Sequence, residues 1–169
     1  MLKLRKNKKG FTLVELIVVI AIMAVLAGTV AGVTVSQLNK NTDKAMATDA
    51  KTVADFISTK IIEESYNFEN ETSLEVFLKK VPGTTVTFTI DETKGIGKAL
   101  KAQYGDKVAL NSNGDKGKTI GVSFKKEDDK TYFIVRYIGK QGSNNGNIEY
   151  NVSDEAVVSK KSSGAAFSD

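Results

Sequence analysis

The chain has 169 residues, 41% of them hydrophobic and 26% charged, with one Pro and no Cys, His or Trp. That composition describes one domain plus an anchor; it excludes a disulfide framework and a thiolate metal site, and leaves only carboxylates or lysine for any catalysis. The formal charge of +4 is concentrated in Lys3, Arg5, Lys6, Lys8 and Lys9, so the rest of the chain holds 19 basic against 20 acidic residues, interspersed rather than gathered into the basic face that nucleic-acid binding requires.

After the basic cluster an apolar segment runs from Phe11 to Val35, interrupted by Thr12, Glu15, Thr29 and Thr34, with glycines at 28 and 32. Leu16 to Val35 as a helix is about 30 Å long, the thickness of a bilayer's hydrocarbon core. The positive-inside rule places Lys3 to Lys9 in the cytoplasm and everything after residue 35 outside. The chain therefore reads as a single-span membrane protein with an exported body. Glu15 is the anomaly, because an acid in a membrane helix is costly and points to a partner. A cleaved secretory signal ending at Ala27-Gly28 or Ala31-Gly32, or an ordinary permanent anchor, explains the length and charge but gives neither Gly10 nor Glu15 a purpose.

Lys8-Lys9-Gly10-Phe11-Thr12-Leu13-Val14-Glu15 resembles the class III signal of type IV pilins and pseudopilins, over about residues 5 to 35. That signal joins a short basic leader ending in glycine to an aromatic first mature residue, a Thr-Leu-x-Glu sequence and an apolar helix. The resemblance implies that a membrane prepilin peptidase removes leader 1–10 by cutting the Gly10–Phe11 bond, and methylates the Phe11 amine. It implies that residues 11–35 are both the membrane helix and the polymerisation helix, and that Glu15 and Phe11 act in assembly. Gly10, without a Cβ, lets an extended backbone enter a protease cleft closely. The positive amine on Phe11 of a neighbouring subunit is then the partner that Glu15 needs in a low-dielectric setting. Many pilins place a proline about 22 residues into the mature chain; this chain has Gly32 there, and its only proline is Pro82. Gly28 and Gly32 are assigned to helix flexibility, and their GxxxG spacing also suits close packing of membrane helices.

Beyond the membrane, Met46, Ala50, Val53, Ile57 and Ile61 recur at three- and four-residue steps, with Lys44, Asp49, Lys51, Asp55 and Lys60 on the other faces, a stripe for packing on a sheet. One helix is expected from Phe11 to near Tyr66, its half over 36–66 forming the spine of a head that spans 36–169. Within 67–152, Thr72-Ser73-Leu74-Glu75 suggests a capping box opening a short helix closed by Pro82-Gly83. Strands are expected at Thr85–Ile90, Thr119–Phe124, Thr131–Ile138 and Ile148–Val152, the middle two forming a hairpin around Lys125 to Lys130. The tail 153–169 is expected to be partly disordered. The fold class is α+β, type IV pilin-like: a long N-terminal α-helix packed on a small antiparallel sheet.

Chemistry in the head is thin. Gly95-Ile96-Gly97-Lys98 lacks the spacing of a phosphate loop and reads as a turn. Asn111 to Asp115 is oxygen-rich but lacks the bidentate Glu of a calcium loop, and also reads as a turn. Asn70-Glu71-Thr72 and Asn151-Val152-Ser153 match the glycosylation sequon. Glu63-Glu64 and Asp128-Asp129 are adjacent pairs read as solvated surface. No catalytic residue, cofactor or metal is assigned. The expected role is a structural subunit of type IV pili, active in adhesion, motility or aggregation. Its partners are a homo-polymer of pilin subunits, prepilin peptidase, the inner-membrane pilus assembly machinery, and the cell membrane before assembly. Its expected location is a single-pass membrane protein with an extracellular head and then the filament, with no nucleic acid at the head. The alternatives are a pseudopilin of a type II secretion or competence DNA-uptake system, and a monomeric membrane-anchored binding module.

Overall fold

A stripe of small and branched apolar residues on one long helix organises the head. The structure is a computed structural model that describes residues 10–83, 87–127, 130–140 and 146–163. The basic leader residues, the expected strand start at Thr85, Asp128-Asp129 and the last six residues lie outside them. Helix α1 runs Leu13–Glu63, and the chain divides into two compact units, Met1–Leu38 and Asn39–Asp169.

In the first unit, α1 is apolar and uncovered, long and apolar enough to cross a membrane, and Leu13, Val14, Met23, Val25, Val33 and their apolar neighbours all stand exposed. Its threonines return their hydroxyls to the helix's own carbonyls, Thr29 to Leu26 at 3.0 Å and Thr34 to Val30 at 2.8 Å, so neither leaves a bare donor on an apolar surface.

In the second unit, Ala50, Val53, Ala54, Ile57 and Ile61 are buried, with Met46 packed against them. The expected stripe is therefore the covered face, and Lys51 and Asp55 pair across the solvent side at 2.6 Å. Two sheets meet this unit's core. The smaller is an antiparallel pair, β1 (Leu78–Val81) and β2 (Thr87–Ile90). The larger has the order β3-β4-β5-β6-β7, with β3 Val108–Leu110, β4 Ile120–Glu127, β5 Lys130–Tyr137, β6 Ile148–Ser153 and β7 Val158–Ser163. Alternate residues of the larger sheet, Ile120 and Val122, Phe133, Val135 and Tyr137, Ile148, Tyr150 and Val152, enter the core with the helix stripe, as the two-residue period of a strand requires. Each large side chain buried in this way contributes about 1.5–3 kcal/mol.

The architecture is α+β and pilin-like, and several local expectations change. Helix α2 is Glu71–Phe77, capped by Asn70, whose Oδ1 accepts the Ser73 N–H at 2.9 Å. The cap thus lies two residues before Thr72, and the chain passes directly from Phe77 into β1, with Pro82-Gly83 after that strand rather than ending the helix. Gly95 to Lys98 is the first turn of α3 (Gly95–Tyr104), not an isolated turn. Its glycines answer close contact: a Cβ on Gly97 would lie 2.1 Å from the Asp91 carbonyl oxygen, and one on Gly95, at φ +51°, 2.6 Å from Phe77 Cβ. The hairpin strands extend further than expected, to Glu127 and from Lys130. Within the tail expected to be partly disordered, Val158–Ser163 forms β7, paired antiparallel with β6, and the rest of the tail from residue 164 lies outside the described residues. The larger sheet is mixed, because β3 pairs parallel with β4.

That parallel pair requires the chain to return over the sheet between Leu110 and Ile120. The returning loop lies so close that a Cβ on Gly121 would fall 2.3 Å from the Ser112 carbonyl oxygen. Asn111, at φ +54°, fastens its start, accepting the Ile90 N–H at 2.7 Å and donating to the Ile90 carbonyl at 2.8 Å. One amide thus joins the two sheets by satisfying both backbone groups of an edge residue. Arg136 donates to Glu149 at 2.6 Å and to Asn113 at 2.5 Å, tying the loop to neighbouring strands. Glu149 is only 4% exposed, so this paired carboxylate could not lose its partner cheaply.

Where α1 enters the second unit, buried Asp43 accepts from the Tyr137 hydroxyl at 2.7 Å and the Lys140 N–H at 2.9 Å. Burial, and then this hydrogen bond to a carboxylate, raises the Tyr137 phenol above its ordinary value. Asp43→Ala is expected to cost about 2–4 kcal/mol by stranding both donors, read as a fall in the urea midpoint; Asp43→Asn, which keeps an acceptor, is expected to lose less. Beyond Leu38, the large apolar side chains left exposed among the described residues are Ile62, Val76, Val81 and Val157. A fragment beginning near Gln37 is therefore expected to be soluble, monomeric by sedimentation, and folded without added metal.

Candidate processing and assembly site

The start of α1 is built by one short stretch, Gly10 to Glu15. Thr12 stands immediately before the first helical residue, and its carbonyl accepts the Leu16 N–H at 3.3 Å. Its hydroxyl oxygen accepts the Glu15 N–H at 3.3 Å, while its own N–H and hydroxyl donate to Glu15 Oε2 at 2.8 and 2.9 Å. Thr12 and Glu15 therefore form a reciprocal capping box, which satisfies amides that a helix start leaves without partners. The negative side chain also lies at the positive end of the helix dipole.

Glu15 uses one oxygen for both of these bonds. Oε1 accepts from no described residue, although a carboxylate offers about four acceptor positions over its two oxygens. The carboxylate is thus oriented by its own helix and retains capacity for a further donor. Phe11 is 90% exposed beside it, and no heavy atom lies within 4 Å of where a Cβ on Gly10 would stand. Open backbone at Gly10 and Phe11 is followed at once by the capped helix that carries Glu15. Gly28 and Gly32 lie along the same helix, which is continuous through both, and a Cβ at either would meet nothing within 4 Å.

Thr12 is the capping position that composition and charge did not single out. Its signal was present, since Thr12-x-x-Glu15 has the spacing of a capping box, and the same spacing at Thr72 to Glu75 proved not to be one.

Elsewhere the candidate residues have structural partners. Lys60 pairs with Glu63 at 2.7 Å and Glu64 at 4.0 Å, so the adjacent carboxylates share one cation on the surface. Asn111 and Asn113 serve the sheet as described above. Asn70 caps α2, and Asn151 lies within β6, paired on both sides. Among the described residues, no three His, Cys, Asp or Glu side chains gather as metal ligands. At the far end of α1 an open groove of about 630 Å³ is lined by Tyr66, Phe68, Glu69, Lys126, Asp154 and Glu155, among others.

Residues 5–31 match the family model described as the prokaryotic N-terminal methylation motif. No curated protein and no solved structure matches the chain. The match includes Gly10 to Glu15 and Gly28 and leaves Gly32 and the Asn39–Asp169 unit outside it.

The capping box has a measurable consequence. Thr12→Val removes the hydroxyl and is expected to weaken the helix start by about 1 kcal/mol. Amide hydrogen exchange of Glu15 in detergent micelles is expected to quicken roughly fivefold, the factor that energy corresponds to; unchanged exchange would show that the cap does not hold the helix start.

Proposed function

With residues 5–31 carrying the N-terminal methylation motif of type IV pilins and pseudopilins, a prepilin peptidase substrate with an apolar helix fit for a membrane anchor, we propose that this chain is a structural pilin that polymerises through that helix into a surface filament. The observation that carries the reading is the start of α1: an exposed Phe11 beside a carboxylate that its own helix holds in place and only half uses. Hydrolysis of the Gly10–Phe11 peptide bond would create a positive amine on Phe11, which methylation keeps charged.

In the membrane Glu15 lies near the cytoplasmic interface, where water and headgroups reach it at modest cost. Within a bundle of apolar helices an unpaired carboxylate is far more expensive. A neighbour's Phe11 amine relieves that cost only when the two subunits are offset by about one helical turn, so the charge pair sets register as a buried polar residue does in a coiled coil. Thr12 contributes by fixing the carboxylate beforehand. A capped, preoriented Glu15 loses little side-chain freedom on docking.

The uncovered apolar surface from Phe11 to Val35 supplies the remaining drive once subunits leave the lipid together. Gly28 and Gly32 are the places where the helix backbone is least constrained by side chains, and where two helices approach most closely. The head takes no catalytic part.

Mass spectrometry of the mature protein is expected to show a chain beginning at Phe11 with a methylated amine; a start at Gly28 or Gly32 would instead indicate ordinary secretion. A bulky residue in place of Gly10 is expected to leave the full-length form in the membrane. Glu15→Ala is expected to be processed and stably inserted yet to enter fibres poorly, and Glu15→Asp, a methylene shorter, to assemble in part. Wild-type fibre yield from Glu15→Ala, with no other pilin present, would remove the carboxylate from its docking role. Fibres that dissolve to this single band would separate a pilus subunit from a pseudopilin.

A further inference from the structure

The end of the Asn39–Asp169 unit at which α1 enters is rich in lysines that pair with no described carboxylate. Lys40 and Lys44 are exposed on either side of buried Asp43. Asp43 holds the Lys140 N–H, and the Gly117 N–H donates to the Ile138 carbonyl at 2.7 Å. The Lys140 stem packs over Gly117. Those contacts bring Lys116, Lys118 and Lys140 to the same end as Lys40 and Lys44. All five are exposed, and among the described residues none is within ion-pair distance of a carboxylate. Asp115 is an exposed acid among them.

The groove lined by Tyr66 and Phe68 lies at the opposite end of the unit. Ser65 to Glu69 follow the end of α1, Lys126 and Thr131 face each other at the far end of β4 and β5, and Asp154 follows β6. From Asp43 to Glu63 the helix covers about 30 Å, and from Ile120 to Lys126 the strand covers about 20 Å. Glu69, Asp154 and Glu155 line this groove without an ion pair among the described residues, while Lys126 adds one cation to its wall. The unit thus bears a cationic face where the helix enters and an anionic recess where it ends.

We propose that these two ends are complementary halves of one contact between copies of this chain, the lysine face of one head against the Glu69–Asp154–Glu155 recess of another. The proposal rests on the reading of the chain as a homopolymer subunit. Copies of this unit whose stretches of α1 beyond Asn39 run parallel all present the lysine end in one direction and the acidic end in the other. Contact between unlike ends is heterologous and open, so it repeats without closing, as a filament requires. Like ends repel, so the same charges disfavour antiparallel pairs. The recess is concave and carries two aromatic walls, which gives long lysine stems apolar surface to lie along while their ammonium groups reach the carboxylates.

The test uses the full chain, expressed with the assembly machinery and no other pilin, with sheared fibres quantified. Lys116→Glu with Lys118→Glu is expected to lower fibre yield about tenfold, and Glu69→Lys with Glu155→Lys to do the same. All four changes together are expected to restore most of the yield. Thermal unfolding of each variant is expected to match wild type; where reversal of charge lowers the midpoint, the glutamine versions replace it, with a loss of about threefold expected. Normal yield from both double variants would overturn the contact. So would a combined variant no better than the lysine variant alone, which would assign the lysines to another anion such as membrane phosphate. Wild-type chain that makes no fibres would remove the homopolymer reading and this contact together, whereas wild-type fibres with failed rescue remove the contact only.

Discussion

Burial of one helical stripe governs the architecture of the head. From Ala50 to Ile61, α1 presents alanine, valine and isoleucine in a row narrow enough for a sheet to lie against. A body of this size has little core to spare, and the covering strands supply the other half of it: Ile120 and Val122, Phe133, Val135 and Tyr137, Ile148 and Val152. The strand register follows, because a slip of one residue would turn Phe133, Val135 and Tyr137 away from the helix and bring Ile134 and Arg136 toward it. The aromatic group around Phe68, with Phe77 at 5.1 Å and Phe133 at 6.3 Å, extends that core past the end of the helix.

The first half of the same helix obeys the opposite rule. Its surface is apolar all round and no described residue buries its large side chains, a surface fit for lipid or for other helices. On such a surface each polar group needs a local answer. Thr29 and Thr34 bond their own helix, and Thr12 and Glu15 bond each other. Among these described side chains Glu15 leaves one carboxylate oxygen without a bond, which capping alone does not use.

Polar clamps complete the head where hydrophobic burial gives no direction. Asp43 decides where the helix meets the β5 end, Asn111 decides where the two sheets meet, and Arg136 with Glu149 and Asn113 decides where the returning loop lies. Each joins segments far apart in the chain, and each is specific because a hydrogen bond has a direction that an apolar contact lacks.

Much of this was legible in the residues alone. The membrane-length segment, the stripe on α1 and the β4–β5 hairpin follow from periodicity and charge, which are local properties of a chain, while the motif over residues 5–31 was read from its resemblance to a known signal. Thr12 as a cap was also written in its spacing to Glu15, but the identical spacing at Thr72 was overruled by Asn70, one turn's competition that a pattern does not rank. The parallel pairing of β3, the recruitment of the tail as β7, and the helical state of Gly95 to Lys98 depended on partners distant in sequence: Ile120, Asn151 and Phe77. The glycines at 95 and 97 read as turn formers, and Gly121 as an ordinary strand position, until the backbones packed against them are known. The sequence by itself determined a membrane-length apolar helix with an amphipathic continuation, because those depend on side chains a few residues apart. Only the tertiary structure decided the sheet order, the clamps at Asp43 and Asn111, and the gathering of Lys40, Lys44, Lys116, Lys118 and Lys140 at one end, because each of those is a meeting of segments that chain order does not bring together.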